Sequence, residues 1–240
     1  MTSFRNILPL VMLAMAGAPP ISAADQLTGF PFQNETLRYR VNWPGGGSLG
    51  NVTLTAHKAD DGGWDFDMSA TVSIPLVPIS DQYRSTAGGA DLCSSTLQRD
   101  ISHGSRKVVE KTEFDQKTNQ AQRRTMVPAG GGRSEFAIPT CGRDALSFQY
   151  FARREMGQGR VPPAGKIFFG PAYEVKMVYT GAQDVPVAGK PVVTDHVNVS
   201  VKGPASDFTL EIFYARDAAR TPLLIKIPVS AGTVSLELVR

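Results

Sequence analysis

The segment that most constrains this chain is residues 141–157, because it is the only convincing helix after the N-terminal leader in a sequence that otherwise alternates like strand. Thr140 stands where a side-chain oxygen can cap orphan N–H groups, and Asp144 falls in the first turn. Arg153 and Arg154 fall in the last turn, and Gly157 can take the left-handed position that ends a helix. These signals predict a helix over about residues 142–156. Ala145, Leu146, Phe148, Tyr150, Phe151 and Ala152 make it apolar over more than half its circumference, so it needs cover on most sides. One such helix among many strands predicts a mainly β fold: a curved antiparallel sheet, a half-barrel or open barrel, packed around a single α-helix.

The strands carry the period of two. Leu37, Tyr39, Val41 and Trp43 alternate with Arg38, Arg40 and Asn42. Val52, Leu54 and Ala56 continue the pattern, as do Trp64, Phe66, Met68 and Ala70, and three successive strands make a meander. Pro75 and Pro78 mark residues 72–79 as an edge or a crossover. Further strands are expected at 83–87, 92–99, 106–114 and 120–127, with 130–133 a loose connection before the helix. Residues 157–165, with Pro162 and Pro163, are the best candidate for a boundary between halves. Strands resume at 166–169, 173–180, 192–202, 208–214, 223–228 and 233–239. Tyr173, Val175, Met177 and Tyr179 oppose Glu174 and Lys176, while Val197, Val199 and Val201 oppose Asn198, Ser200 and Lys202. One wet face per strand marks an antiparallel sheet rather than a doubly covered parallel one.

The first residues hold one basic side chain, Arg5, then an apolar run from 7 to 17, then Pro19, Pro20 and the small residues Ser22, Ala23 and Ala24. This pattern predicts a cleaved signal peptide over residues 1–24, a mature domain over 25–240 and a periplasmic or secreted location. No later segment approaches the ~20 apolar residues of a membrane-spanning helix, so no transmembrane segment is expected in the mature chain. The only cysteines are Cys93 and Cys141. In an oxidising compartment they read as one disulfide, closing a loop of about 49 residues worth roughly 4 kcal/mol. Lys and Arg number 25 against 22 Asp and Glu. Their densest runs, Arg106-Lys107 and Arg123-Arg124, are too short for a nucleic-acid-binding face, so no nucleic-acid partner is expected.

Chemical motifs are weak. Gly46-Gly47-Ser48-Leu49-Gly50 fits G-x-S-x-G, but a nucleophile elbow needs a helix directly after the serine and residues 51–55 read as strand. A triad of Ser48, His196 and Asp195 can be drawn, as it can in any chain this long. His57, His103 and His196 stand far apart with no H-E-x-x-H, so neither a metal site nor a cofactor is expected. Asp60, Asp61, Asp65 and Asp67 lack the closing Glu of a calcium loop and fit a turn and a wet strand face. Asn34, Asn51 and Asn198 head glycosylation sequons that matter only in a eukaryotic secretory route.

Several stretches together resemble the domain-of-unknown-function 3108 family of exported bacterial proteins. The matching residues are 35–43 opening the domain, then Asp81 and Tyr83. In the helix they are Arg143, Asp144, Ala145, Leu146, Ser147, Tyr150 and Arg153, and near the end Asp217, Arg220, Pro222, Gly232 and Leu236. The glycine-rich Gly45-Gly46-Gly47 departs from the pattern and leaves the shape of the first hairpin open. The resemblance implies export and a mainly antiparallel β fold, and brings no catalytic residue with it. The chain also looks like the half-barrel class of envelope proteins that hold acyl chains, a likeness of fold alone.

The functional hint lies in the aromatic side chains around the helix. Most must serve as core, but an open sheet would leave Phe148, Tyr150, Phe151, Phe169, Tyr173 and Tyr179 lining a concave apolar pocket. The leading expectation is a non-enzymatic exported protein that holds a lipid or other apolar small molecule. The alternative is an envelope structural module that binds another protein by strand addition. A hydrolase ranks below both.

Overall fold

A computed structural model describes residues 33–239 apart from 75, 76, 188, 205 and 231, so the leader expected over 1–24 lies outside the described residues. The first arm of the fold is a run of hairpins. It comprises β1 (Glu35–Asn42), β2 (Ser48–Lys58), β3 (Trp64–Ile74), β4 (Val77–Ala87), β5 (Ser94–His103), β6 (Arg106–Asp115), β7 (Gln120–Val127) and β8 (Arg133–Ala137). The chain then forms the two-residue β9 (Arg143–Asp144) and α1 (Ala145–Gly157). The second arm is β10 (Gly165–Phe168), β11 (Ala172–Val187), β12 (Lys190–Gly203), β13 (Ser206–Ala215), β14 (Pro222–Val229) and β15 (Gly232–Leu238).

Both arms belong to one open sheet, in the order β8-β7-β6-β5-β4-β3-β2-β1-β15-β14-β13-β12-β11-β10-β9. Every neighbouring pair is antiparallel except β9 and β10. The arms join where β1 meets β15, with Tyr39 opposite Leu238 and Val41 opposite Leu236. The sheet curls without closing. Phe168 at the end of β10 packs against Phe114 of β6 and Phe136 of β8, at ring-centroid distances of 5.8 and 5.4 Å. Phe169 stacks on Tyr83 of β4 at 4.4 Å. The tip of the second arm thus lies against the inner face of the first, and α1 occupies the concavity.

Three local expectations need correction. Residues 72–79 form neither an edge nor a crossover: β3 and β4 are hairpin neighbours, paired as far as Ser73 with Pro78 and Ile74 with Val77. Pro78 is tolerated because it sits at the start of its strand, where its carbonyl still accepts from the Gly104 N–H at 2.9 Å. The loose connection ends in β8, a short strand paired with β7 from Arg124–Arg133 to Gln120–Ala137. Finally, β11 runs on through a bulge at Tyr179–Gly181 to Val187, well past the expected end at 180.

Candidate functional site

The helix is fastened at its start. Asp144, expected in the first turn, is the N-cap itself, because Arg143 and Asp144 are extended beside β10 and leave Thr140 outside the helix. Its Oδ1 accepts from the backbone N–H of Leu146 at 2.8 Å and of Ser147 at 3.1 Å. Its Oδ2 accepts from the hydroxyls of Ser85 on β4 and Ser94 on β5, both at 2.5 Å. Burial raises the Asp144 pKa, against the hydrogen bonds from both serines and from the helix N–H groups. The Cys93–Cys141 disulfide, with Cα atoms 4.8 Å apart, ties the same corner to the start of β5. At the other end Gly157 is the last helical residue, and the left-handed position falls two residues later at Gly159, φ +75°.

The two long faces of α1 meet different surroundings. On one, Leu146 and Tyr150 join a core built from Leu37, Tyr39, Val52, Leu54, Trp64 and Phe66. The Tyr150 ring stacks on Phe66 with centroids 4.4 Å apart. Arg153 is buried beside them, its Nη1 and Nη2 donating to the two carboxylate oxygens of Glu35 at 2.6 and 2.8 Å and its Nε to the Ala219 carbonyl at 2.9 Å. Burial opposes that charge, but the paired hydrogen bonds to Glu35 prevail and hold the guanidinium above its ordinary pKa. Burial likewise pushes the phenols of Tyr39, Tyr150 and Tyr214 up, with Arg153 pulling each the other way.

On the adjoining face, Ala145, Phe148, Gln149 and Ala152 recur at helical spacing and border a cavity of about 440 Å³. Its far wall is the inner face of β11 to β13. The register sets Val175 opposite Val201 and Met177 opposite Val199, then Val199 opposite Leu210 and Val201 opposite Phe208. Cross-strand partners stand about 5 Å apart, so these residues form a continuous aliphatic surface. Ile167, Phe169, Tyr173, Ile212 and Tyr214 complete the lining, and Ser206 lies at its border. The Gln149 Nε2 is buried there without a hydrogen-bond partner.

Of the six aromatic residues singled out in the sequence, Phe148, Phe169 and Tyr173 line the cavity. Tyr150 does not, because at about 100° per residue it stands off the 145–148–149–152 stripe and turns into the core. Phe151 lies under the guanidinium of Arg143, 3.7 Å from its centroid, with Arg154 at 5.1 Å. Tyr179 is 47 % exposed next to the β11 bulge, and its hydroxyl donates to Asp195 Oδ1 at 3.3 Å. The aliphatic wall and Gln149 were missed. The in-phase valines 197, 199 and 201 were the available signal for the wall, and a search weighted toward aromatic rings passes over them.

The other motif residues are engaged elsewhere. Ser48 opens β2, with strand rather than helix after it. Four strands separate β2 from β12 in the sheet. His196 Nε2 lies 2.8 Å from Glu211 Oε2, with its ring stacked on Phe213. Asp195 takes hydrogen bonds from Arg216 at 2.9 Å and Arg220 at 2.6 Å. Asp61 closes its own turn through the Gly63 N–H, at 2.8 Å. Among the described residues no helix is long and apolar enough to cross a membrane.

An open, barrel-like antiparallel sheet around one helix, hollow on one side of that helix, is the class of protein this geometry defines. The chain belongs to the family described as "Protein of unknown function (DUF3108)", which matches residues 38–239. It is also similar to a solved structure, the β-barrel-like protein of domain of unknown function DUF1849 from Brucella abortus. The two share 9 % identity over 87 % of this chain and 96 % of that one, with a TM-score of 0.61, a likeness of fold. No curated protein matches the chain.

Proposed function

We propose that this is a non-enzymatic exported protein of the periplasm that holds an apolar ligand, such as an acyl chain, between α1 and the β11–β13 wall. The apolar cavity of about 440 Å³ carries the reading. Small-molecule sites are concave, mostly apolar and supplied with few polar groups, and here a single buried amide, Gln149, interrupts the aliphatic lining. At the ~30 Å³ of a water-sized group, there is room for roughly a dozen methylenes. Each would contribute about 0.8 kcal/mol on leaving water. The leader pattern and the Cys93–Cys141 disulfide support an oxidising compartment.

The test is native mass spectrometry of protein taken from its own periplasm without detergent. A bound lipid that disappears in Leu210→Trp, which fills the cavity, is the expected result. Protein that arrives empty and fails to bind a fluorescent fatty acid would end the proposal. Strand addition at the open edge has less support, since β8 exposes Arg133 and Glu135, charges of the kind that discourage edge pairing.

A further inference from the structure

A second depression, of about 290 Å³, lies on the inner face of the first arm and has opposite chemistry. Its polar lining is Arg99 and His103 of β5, Arg106 and Glu110 of β6, and Arg123 of β7, with Pro171 at its margin. The strand register brings them together, setting Arg99 opposite Glu110, His103 opposite Arg106 and Thr112 opposite Arg123. Glu110 is already engaged, accepting from Arg99 Nη1 at 2.9 Å and from the Thr125 hydroxyl at 3.2 Å. His103 is held by Asp81 at 2.9 Å. Among the described residues no carboxylate pairs with Arg106 or Arg123, and the buried Nε of Arg99 has no hydrogen-bond partner. Three guanidinium groups therefore face one carboxylate.

Arg99 is also held in place. Its guanidinium carbon lies 5.8 and 5.6 Å from the ring centroids of Tyr83 and Phe169. Gly170, at φ +84°, favours glycine and leaves room for the Arg99 guanidinium beside it. A guanidinium held by Glu110 and two aromatic rings, beside two that no carboxylate pairs among the described residues, matches the planar, multidentate demand of phosphate and carboxylate groups.

We propose that this depression binds an oxyanion, a phosphate or carboxylate group, through Arg99, Arg106 and Arg123. The turn from Phe169 to Pro171 borders both depressions, for Phe169 lines the apolar cavity and Pro171 this one. The anion is therefore either free or the head of an amphiphile whose tail lies in the cavity. The free-anion test is independent of the ligand proposed above.

The experiment is a titration of ¹⁵N-labelled protein with inorganic phosphate at constant ionic strength, following the arginine Nε–H signals. Saturable shifts at Arg99, Arg106 and Arg123 are expected. Arg123→Gln should weaken binding about tenfold, as for one lost charge-assisted hydrogen bond, and Arg123→Lys should recover part of it. Decyl phosphate then separates the sources. Affinity at least tenfold above phosphate, abolished by Leu210→Trp, assigns a head group, and equal affinities assign a free anion. Shifts no larger than those from matched chloride, with unchanged melting of each variant, overturn the site.

Discussion

The two sides of α1 are the useful contrast in this molecule. Against β1 to β4 the helix presents Leu146 and Tyr150 to Trp64, Phe66 and Tyr39, long aromatic side chains that reach across the gap between sheet and helix. Against β11 to β13 it presents Ala145, Phe148, Gln149 and Ala152 to Val175, Met177, Val199, Val201, Leu210 and Ile212, with the rings of Tyr173, Phe208 and Tyr214 among them. Firm contact there is made by Ala152 and Met156 with Val175, Met177, Val197 and Val199, and the space toward Ala145 stays open. The same helix is a core element on one side and the roof of a cavity on the other. Both surfaces are apolar and both lie on one sheet, but on the filled side Tyr150 reaches Phe66, while the helix turns the short side chains of Ala145 and Ala152 toward the hollow one.

Substitutions at four positions sharpen or break that contrast, the largest first. Phe66→Ala removes the ring under Tyr150 and should cost about 3–5 kcal/mol in denaturant unfolding. A loss under ~1 kcal/mol would mean that side is not filled. Cys93→Ser releases a tie of 48 residues in sequence separation and should cost roughly 2–4 kcal/mol, read as a lower melting temperature in oxidised protein alone.

Asp144→Ala removes the helix cap and leaves the Ser85 and Ser94 hydroxyls without their acceptor, for about 2 kcal/mol. The same residue has a pH signature. Burial raises its native pKa, so the folded chain keeps this proton after the unfolded chain has lost it. Its contribution is therefore largest in acid and declines as pH rises from the ordinary carboxylate range toward the raised value. Asp144→Asn should flatten that slope in a series of melts, and an unchanged slope would assign it to another group. Leu210→Trp adds bulk to the hollow side and should change stability by less than ~1 kcal/mol. A penalty of about 1–3 kcal/mol, the usual cost of overpacking, would show that side to be filled as well.

Much of the architecture was legible in the residues. Trp64, Phe66, Met68 and Ala70 announce a strand and its dry face without outside help, and the Cys93–Cys141 pair needs only a count. Where reading failed, a neighbour in space had decided the matter. Asp144 became the cap because β10 drew Arg143 and Asp144 into extended pairing. Tyr179 stands at the last regular pair of β11 before the bulge, and its ring reaches outward to Asp195 rather than into the cavity. Tyr150 and Phe148 are equally aromatic and two positions apart, and their opposite fates depend on which arm of the sheet each one faces.

The sequence by itself determined the period-two strands, their wet and dry sides, the lone helix and the half-cystine pair, because each follows from local spacing or from chain chemistry. Only the tertiary structure decided that one side of the helix is filled and the other hollow, and that Arg99, Arg106 and Arg123 share a depression. A void is the difference between the volume a curved sheet encloses and the volume its side chains occupy. That difference depends on how α1 sits against strands β10 to β13, with lining residues running from Ala145 to Tyr214, and no local pattern encodes it.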